Sequence, residues 1–593
     1  MRHRGRPSGI LPSSRLFYLS LFSFVAFVCT SCALFNLGRA PQVEVGVEVQ
    51  WPEEITVGQG ELGLQVFVSG QHTRSLRAQL ELVSPTGQRY DTAQRLRVPA
   101  GVASRFKLSY QVDKPGLYRG SLKIYDPVGR EWVYAREDLR LVVWPRLQFA
   151  VDRSYYTTER VLRFRAQLRQ GQMDVQTLAV ELRQGDVLHQ RTELVFHQEQ
   201  VEGTFVLAAM PSGAYTLRAR LFGATGLEET LELEVYKHPP GRREVKIDLF
   251  TQVLLVDGKP FFPIGLYWLR ADVLSEVRRL GFNSGDYFYK LQGEEIAQLM
   301  DAAAQEGVQI LLELSDFVRQ RPEPDYAAIE ATIRRYKNHP ALLAWYIIDE
   351  PDETKTAPAH VRQVYQNIQE LDPYHPVYLV NNRPHTYADY LDGSDILAVD
   401  VYPVPKQPIR RVRDLVQEAR WMGMGRQPVW LVAQAFGGVE HWPRAPSPVE
   451  LRNMVYQGLV QGARGIFFYR YCGADERHIQ PPDLWRQVRS LAAELVELTP
   501  VLIAPERRHA VQVVGSGQAV DAVLKEQGGV FHLLVVNHTE ELHRVRLRFA
   551  SGLFFKAVEA RYASPQATLR QGELEIDLKP LGVGIYRLEP AEI

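Results

Sequence analysis

The stretch LLAWYIIDEPDE, residues 342–353, carries an apolar run straight into clustered carboxylates. Leu343, Ala344, Trp345, Tyr346, Ile347 and Ile348 leave no polar face, the pattern of a strand covered on both sides in a parallel sheet with helices outside. Asp349 and Glu350 stand where that strand must stop, because Pro351 cannot donate to a ladder and biases the residue before it away from helix. A carboxylate at the C-terminal end of a buried parallel strand is where barrel enzymes keep their catalytic groups. Capping of the next helix is the structural alternative for the same two residues.

Outward from this run, apolar strands alternate with amphipathic helices, the signature of a parallel α/β fold. Eight strand candidates cover residues 263–268, 282–287, 308–314, 343–349, 376–381, 396–401, 429–434 and 465–469. The helices between them carry apolar stripes: Val273, Val277 and Leu280 precede Gly281, and Ile296, Leu299, Met300 and Ala303 precede Gly307, each glycine in the position of a C-cap. Eight such units in roughly 250 residues predict a (β/α)8 TIM barrel over residues 241–505.

The flanks read differently. Residues 41–145 and 146–240 give short alternating strands with Gly, Pro and Asp turns, which predicts two Ig-like β-sandwiches. The two share a late landmark, Gly116-Leu117-Tyr118 in one and Gly213-Ala214-Tyr215 in the other. His238-Pro239-Pro240-Gly241 forms the linker to the barrel, and residues 506–593 return to alternation as a C-terminal β-sandwich. The expected fold class is therefore multidomain, α/β plus all-β.

Residues 1–40 read as an address. Arg2, Arg4, Arg6 and Arg15 precede an apolar run from residue 16 to about residue 35, the layout of an export signal. Cys29-Thr30-Ser31-Cys32 resembles a lipoprotein cleavage site, in which Cys32 becomes the lipidated first residue; an uncleaved signal anchor is the alternative. Both expectations export the chain to the cell envelope, periplasmic or extracellular, and tie it to a membrane.

Composition narrows the function classes. A chain of 593 residues exceeds one hydrophobic core, and its formal net charge of +0 argues against nucleic acid as a partner. With three cysteines, of which Cys29 and Cys32 fall in the leader, Cys472 stands alone in the body, so neither a disulfide framework nor a Cys-rich zinc site is expected. His339, His360, His375, His385, His441 and His478 show no paired ligand motif, and no metal or cofactor is expected.

A barrel opening on VDGKPFFPIGLY, residues 256–267, with a fourth strand closing on Asp349-Glu350-Pro351, resembles clan A glycoside hydrolases, family 2-like barrels with flanking sandwiches in particular. The resemblance implies that the general acid/base is a glutamate at the end of strand four, commonly between Asn and Pro. Glu350 matches it, with Asp349 where Asn is usual. It also implies a nucleophilic glutamate at the end of strand seven, where VWLVAQAFGG, residues 429–438, places Gln434. An amide cannot serve as a carboxylate nucleophile, so a partner carboxylate must come from elsewhere.

Asp400, ending strand six, is the first choice for that partner because its strand end faces the same mouth as Glu350. Glu440, in the loop after strand seven, is the second. Asp349, Asp286 late in strand two and Glu313 closing strand three are supporting candidates. Aromatic residues at strand ends, Tyr267, Trp268, Tyr287, Tyr402, Trp442 and Tyr469, offer flat apolar faces to a pyranose, and Asn381, Asn382 and Arg383 add donors after strand five. The expected function is hydrolysis of O-glycosidic bonds with Glu350 as general acid/base. The competing expectation, motivated by Gln434, is a catalytically silent barrel that binds carbohydrate or serves envelope interactions. Sugar, linkage, stereochemistry and oligomeric state stay open at this level.

Overall fold

The computed structural model describes residues 45–50, 55–69, 71–169, 176–224, 226–287, 290–319, 323–439, 441–471, 482–507 and 510–591. The leader with Cys32, and Glu440, Cys472 and His478, lie outside the described residues. Among the described residues no helix is long and apolar enough to cross a membrane.

Eight parallel strands close a barrel in chain order: β1 (Ile264–Leu269), β2 (Ser284–Tyr287), β3 (Gln309–Glu313), β4 (Leu342–Asp349), β5 (Val377–Val380), β6 (Ile396–Val401), β7 (Val429–Gln434) and β8 (Ile466–Tyr469). Helices α1 (Leu274–Arg279), α2 (Glu294–Glu306), α3 (Ser315–Val318), α4 (Tyr326–Tyr336), α5 (Pro358–Leu371), α6 (Tyr387–Tyr390), α7 (Arg411–Met422), α8 (Pro448–Val460) and α9 (Pro482–Leu502) follow the strands. Gly307 ends α2 at φ 69°, a left-handed C-cap that a side chain would resist.

The interior of the barrel is filled by alternate strand residues, among them Tyr267, Leu311, Tyr378, Trp430 and Phe467. Trp430 and Phe467 stack at 5.5 Å. Gly265 makes room for this layer, because a Cβ there would sit 2.2 Å from the Phe467 ring. Below the barrel, a small antiparallel sheet of Val245–Asp248, Val253–Val256 and Lys259–Phe261 plugs the N-terminal end, and its Val245, Ile247 and Leu254 join the interior core.

Before the barrel lie two sandwiches whose sheets are antiparallel except for the short edge strand Ile55–Thr56, which pairs in parallel with Glu131–Trp144. The first pairs a three-stranded with a five-stranded sheet and the second a three-stranded with a four-stranded sheet. The shared Gly-x-Tyr landmark has a physical cause. Gly116 (φ 133°) and Gly213 (φ 157°) start a strand, and the Tyr hydroxyl bonds back to the chain just upstream. Tyr118 Oη accepts from Lys114 N–H at 3.2 Å, and Tyr215 O–H donates to Pro211 C=O at 2.7 Å, so both modules carry a tyrosine corner.

The C-terminal sandwich consists of two four-stranded sheets. Its Leu534, Val536, Val583 and Ile585 belong to the same buried cluster as the barrel helices. Helix α8 lies between barrel and sandwich, which is why it is buried almost all round instead of showing one apolar stripe. Across this seam, buried Asn453 donates to Asn537 C=O at 2.8 Å and Leu581 C=O at 3.0 Å.

Candidate active site

The C-terminal ends of the strands surround a cavity of about 1040 Å³, at the upper end of the size of small-molecule clefts. Seven carboxyls line it: Asp286 from β2, Glu313 from β3, Asp316 from α3, Asp349 from the end of β4, Glu350 just after it, Glu353 in the loop that follows and Asp400 from β6. The alternation of strand side chains selects those that stand on strands. Asp286, Glu313 and Asp400 continue the inward-facing series of their strands, as Leu311 does before Glu313 and Ala398 before Asp400.

At the end of β4 the chain bends sharply. Glu350 has φ 41°, an uncommon backbone conformation for a non-glycine residue, and its N–H still reaches Val380 C=O at 3.1 Å. This bend lets two adjacent carboxyls enter one cavity, where an extended strand would send them to opposite faces. Asp349 accepts from the Tyr346 hydroxyl at 2.6 Å, and its N–H donates to Ser315 Oγ at 3.0 Å. Arg319 donates to Asp349 C=O at 2.6 Å and lies 3.6 Å from its carboxylate.

Glu350 Oε1 accepts from the Asn382 amide, and the Glu350 and Asp400 carboxyls share the cavity and shift each other's proton affinity. Asp400 is 5% exposed, and its Oδ1 has no hydrogen-bond partner among the described residues. The two carboxyls act on each other strongly enough to titrate as a pair. Burial, then the charges of Glu350 and Asp349, push Asp400 well above the usual carboxylate range. Burial also raises Glu350, and the charges of Asp349 and Glu353 add to it, while the interactions with Asp400 and Asn382 oppose the rise.

Across the cavity, burial and the neighbouring Glu313 hold Asp286 well above its ordinary value; its carboxyl accepts from Tyr287 N–H at 2.7 Å. Burial and the charge of Asp349 push Glu313 up to about 7, against the opposing Ser315 hydrogen bond and Arg319 charge. A carboxyl with a raised folded pKa contributes stability that is complete below the unfolded value and is lost as pH rises through the folded one. Glu313→Gln removes this titration. Its unfolding free energy relative to the parent should therefore be flat below about pH 4 and grow between there and pH 8, by about 1–2 kcal/mol given the partial exposure of Glu313 to the cavity. Thermal unfolding of both proteins across that range measures it, and a pH-independent difference would contradict the assignment.

The remaining wall is aromatic. Tyr402 and Tyr469 stack at 5.5 Å, Phe436 and Trp442 pack edge-on to Tyr402 at 5.1 and 6.1 Å, and Trp268 meets Tyr469 at 5.3 Å. Trp442 Nε1–H donates to Tyr402 C=O at 3.1 Å, tying the loop after β7 to the end of β6. The Arg470 guanidinium lies over the Trp268 ring at 4.7 Å. Tyr267 and Tyr287 complete the lining, with Tyr267 O–H bonded to Tyr378 O–H at 2.8 Å below it.

Most of the residues expected at the mouth thus meet there, with two corrections: Arg383 does not line the cavity, because its guanidinium is held by Asp352 and Glu353 of the loop after β4, and neither does Asn381. Asn381 is 1% exposed, donates to Thr386 Oγ1 at 3.0 Å and accepts from Arg383 N–H at 2.8 Å. Tyr378 and Val380 face inward, so the period of two brings Asn382, the next residue along, to the cavity. Arg319, Tyr346, Phe436 and Arg470 also line the cavity and were not expected. Tyr346 was readable from strand parity, whereas nothing in the sequence marks Arg319, which a short helix after β3 delivers.

Gln434 sits at the inward-facing place on β7 but does not line the cavity. It is fully buried; its Oε1 accepts from Val404 N–H at 2.9 Å and its Nε2–H donates to Val404 C=O at 2.9 Å. Both halves of the amide are spent on the backbone of one residue, Val404, in the loop after β6.

Residues 308–413, which run from β3 past β6 and include Glu313, Asp349, Glu350, Asn382 and Asp400, match the family described as glycosyl hydrolases family 2, TIM barrel domain. The beta-glucuronidase of Chlorocebus aethiops is 25% identical over 218 residues, and that of Pongo abelii 24% over 221 residues; each match covers 33% of this chain and 33% of the relative. The chain thus matches about a third of the length of these curated relatives. Among solved structures, a GH2 beta-galacturonidase from Eisenbergiella tayi bound to galacturonate aligns over 74% of this chain and 90% of its own at 14% identity, with a TM-score of 0.34. Residues 308–413 of the barrel are thus similar to that family, in keeping with the resemblance of the sequence.

Proposed function

We propose that the protein hydrolyses O-glycosidic bonds of a glycan, with Glu350 as general acid/base and Asp400 as its partner carboxyl. One observation carries the reading: Glu350 and Asp400, each held above its ordinary carboxylate value by burial, line the same aromatic-walled cavity. Leaving-group protonation needs a carboxyl that keeps its proton near neutral pH, and burial beside other carboxyls supplies that condition. In the proposed step Glu350 gives its proton to the glycosidic oxygen as the C1–O bond breaks. Water then forms the new bond to C1, and its proton returns to the ionised pair. The negative charge left on the pair faces the oxocarbenium-like centre and stabilises it.

The leader of residues 1–40 supports placing the activity at the cell envelope, with a lipid on Cys32 or an uncleaved anchor holding the chain to a membrane.

Gln434 favours a second reading, a silent carbohydrate-binding barrel, because the inward place on β7 offers no carboxylate. Incubating the full chain with a panel of aryl glycosides and envelope polysaccharides separates the two. Release of aglycone or reducing ends supports hydrolysis; retention of a glycan on the protein with no release over days supports the binding reading.

A further inference from the structure

The turn after β5 is more tightly built than a loop that only connects. Asn381 accepts from Arg383 N–H and donates to Thr386 Oγ1, and that hydroxyl donates to Arg383 C=O at 3.0 Å. The Arg383 guanidinium reaches across to the loop after β4, 3.1 Å from the Asp352 carboxylate and 3.0 Å from Glu353 Oε1. Asn382 is thus held between two fixed neighbours, and its amide meets Glu350. An amide N–H can only donate, so the Glu350 oxygen it touches is an acceptor, and because a carboxyl accepts best at its carbonyl-type oxygen the bond favours the hydrogen on the other oxygen.

From this geometry we infer that Asn382 is a positioning residue: it holds Glu350 Oε1 in the acceptor role and so steers the proton that Glu350 exchanges to Oε2. The inference rests on the hydrolytic reading for its consequence and on the hydrogen bond alone for its content. This steering sets the direction of proton delivery, because a carboxyl free to protonate on either oxygen spends part of its time aimed away from the substrate. It also sets the affinity for the proton. The groups facing Glu350 are Asp349 and Glu353 from its own loop, Asp400 and Tyr402 from the end of β6, and Asn382 and Arg383 from the turn after β5. The acidic neighbours hold the proton on Glu350, whereas the Asn382 donor favours the ionised form, and Arg383 adds positive charge behind it. Asn382 therefore keeps the acid from binding its proton too tightly to release it.

The test compares Asn382→Leu, which has no donor, with Asn382→Gln, which keeps the amide, in the full-length protein. On a glycoside turned over by the parent, Asn382→Leu should move the alkaline limb of the kcat/KM profile up by about one pH unit. It should also lower kcat at the optimum about tenfold with KM within about twofold. Asn382→Gln should return the limb toward the parent's position. A loss of kcat with the limb unmoved would make Asn382 merely structural, and a limb displaced to lower pH would mean that the amide oxygen accepts the proton from Glu350; either overturns the inference. A second readout does not need turnover: labelling of Glu350 by a carbodiimide and an amine, followed by peptide mass spectrometry across pH, reports how long the carboxyl keeps its proton. If the parent hydrolyses nothing, the proposed function fails. The labelling profile still decides the inference, which stands if Asn382→Leu extends labelling to higher pH and falls if the profiles coincide.

Discussion

Glu350→Gln and Asp400→Asn should each lower glycoside turnover by about a thousandfold, with KM nearly unchanged, and the double substitution should cost little more than either alone. The two carboxyls act on each other's proton affinity, so removing either member disables the other. Glutamine keeps the shape of Glu350 and can still bond to its neighbours, but it has no acidic proton to give the leaving oxygen. Asparagine at 400 would donate permanently to Glu350 and hold it ionised, which abolishes the acid without touching the sugar-binding wall.

Stability should move in the opposite direction to activity. Asp400 is buried and its folded pKa is raised, so the parent's folded state is penalised as pH climbs above the unfolded value, and Asp400→Asn escapes that penalty. The variant should unfold at the same temperature as the parent near pH 4 and at a higher one at pH 8. Steady-state kinetics with thermal unfolding at both pH values would read the two effects together. Turnover within tenfold of the parent in either single variant would remove that residue from the chemistry.

The second large effect concerns Gln434. A reading by family alone would suggest Gln434→Glu as a restoration of the missing nucleophile. The structure predicts damage instead: about 3 kcal/mol or more of lost stability at pH 7, and no gain in turnover. Gln434 is fully enclosed, and its Nε2–H satisfies Val404 C=O at 2.9 Å and lies 3.4 Å from Phe436 C=O. A carboxylate there would face both carbonyl oxygens with negative charge and leave Val404 C=O without its donor. Protonated, the new side chain can donate to Val404 again. The loss should therefore be small below about pH 4 and grow as pH rises through the elevated folded value. Denaturant unfolding at pH 4 and pH 7 measures the difference. An unchanged stability together with faster hydrolysis would show that β7 is one substitution away from a working nucleophile and would refute the clamp role given to Gln434.

Much of the barrel was legible because its strands are covered on both faces. A strand such as β4 reads as one apolar run whose end is marked by Asp349 and Glu350, and the Gly281 and Gly307 punctuation locates the helix ends. The small sheet under the barrel escaped notice because its strands are three or four residues long and merge with the linker. At the site, strand-end carboxyls followed from the period of two, and the same period applied to β5 would have chosen Asn382 over Asn381. The pairing of Glu350 with Asp400 could only be suggested, since it depends on the backbone bend at Glu350, a feature no residue type announces. Gln434 was visible as an anomaly, but its purpose was not, because its partner is the backbone of Val404, thirty residues away. Arg319 comes from a helix turn with no periodic signal at all.

The seam between barrel and C-terminal sandwich also bears on how such a chain can change over time. Leu534, Val536, Val583 and Ile585 are interior residues of the barrel's own core, and Asn453 closes the join with backbone bonds that a foreign module would have to reproduce. The first sandwich, by contrast, meets that core through Leu117 and Val142, which are only partly buried, and through side-chain ion pairs such as Arg119–Asp389 at 2.6 Å. The two ends of the chain are therefore unequal in modularity: recombination can exchange the first sandwich at the cost of a surface contact, whereas the last one is inherited with the barrel or not at all.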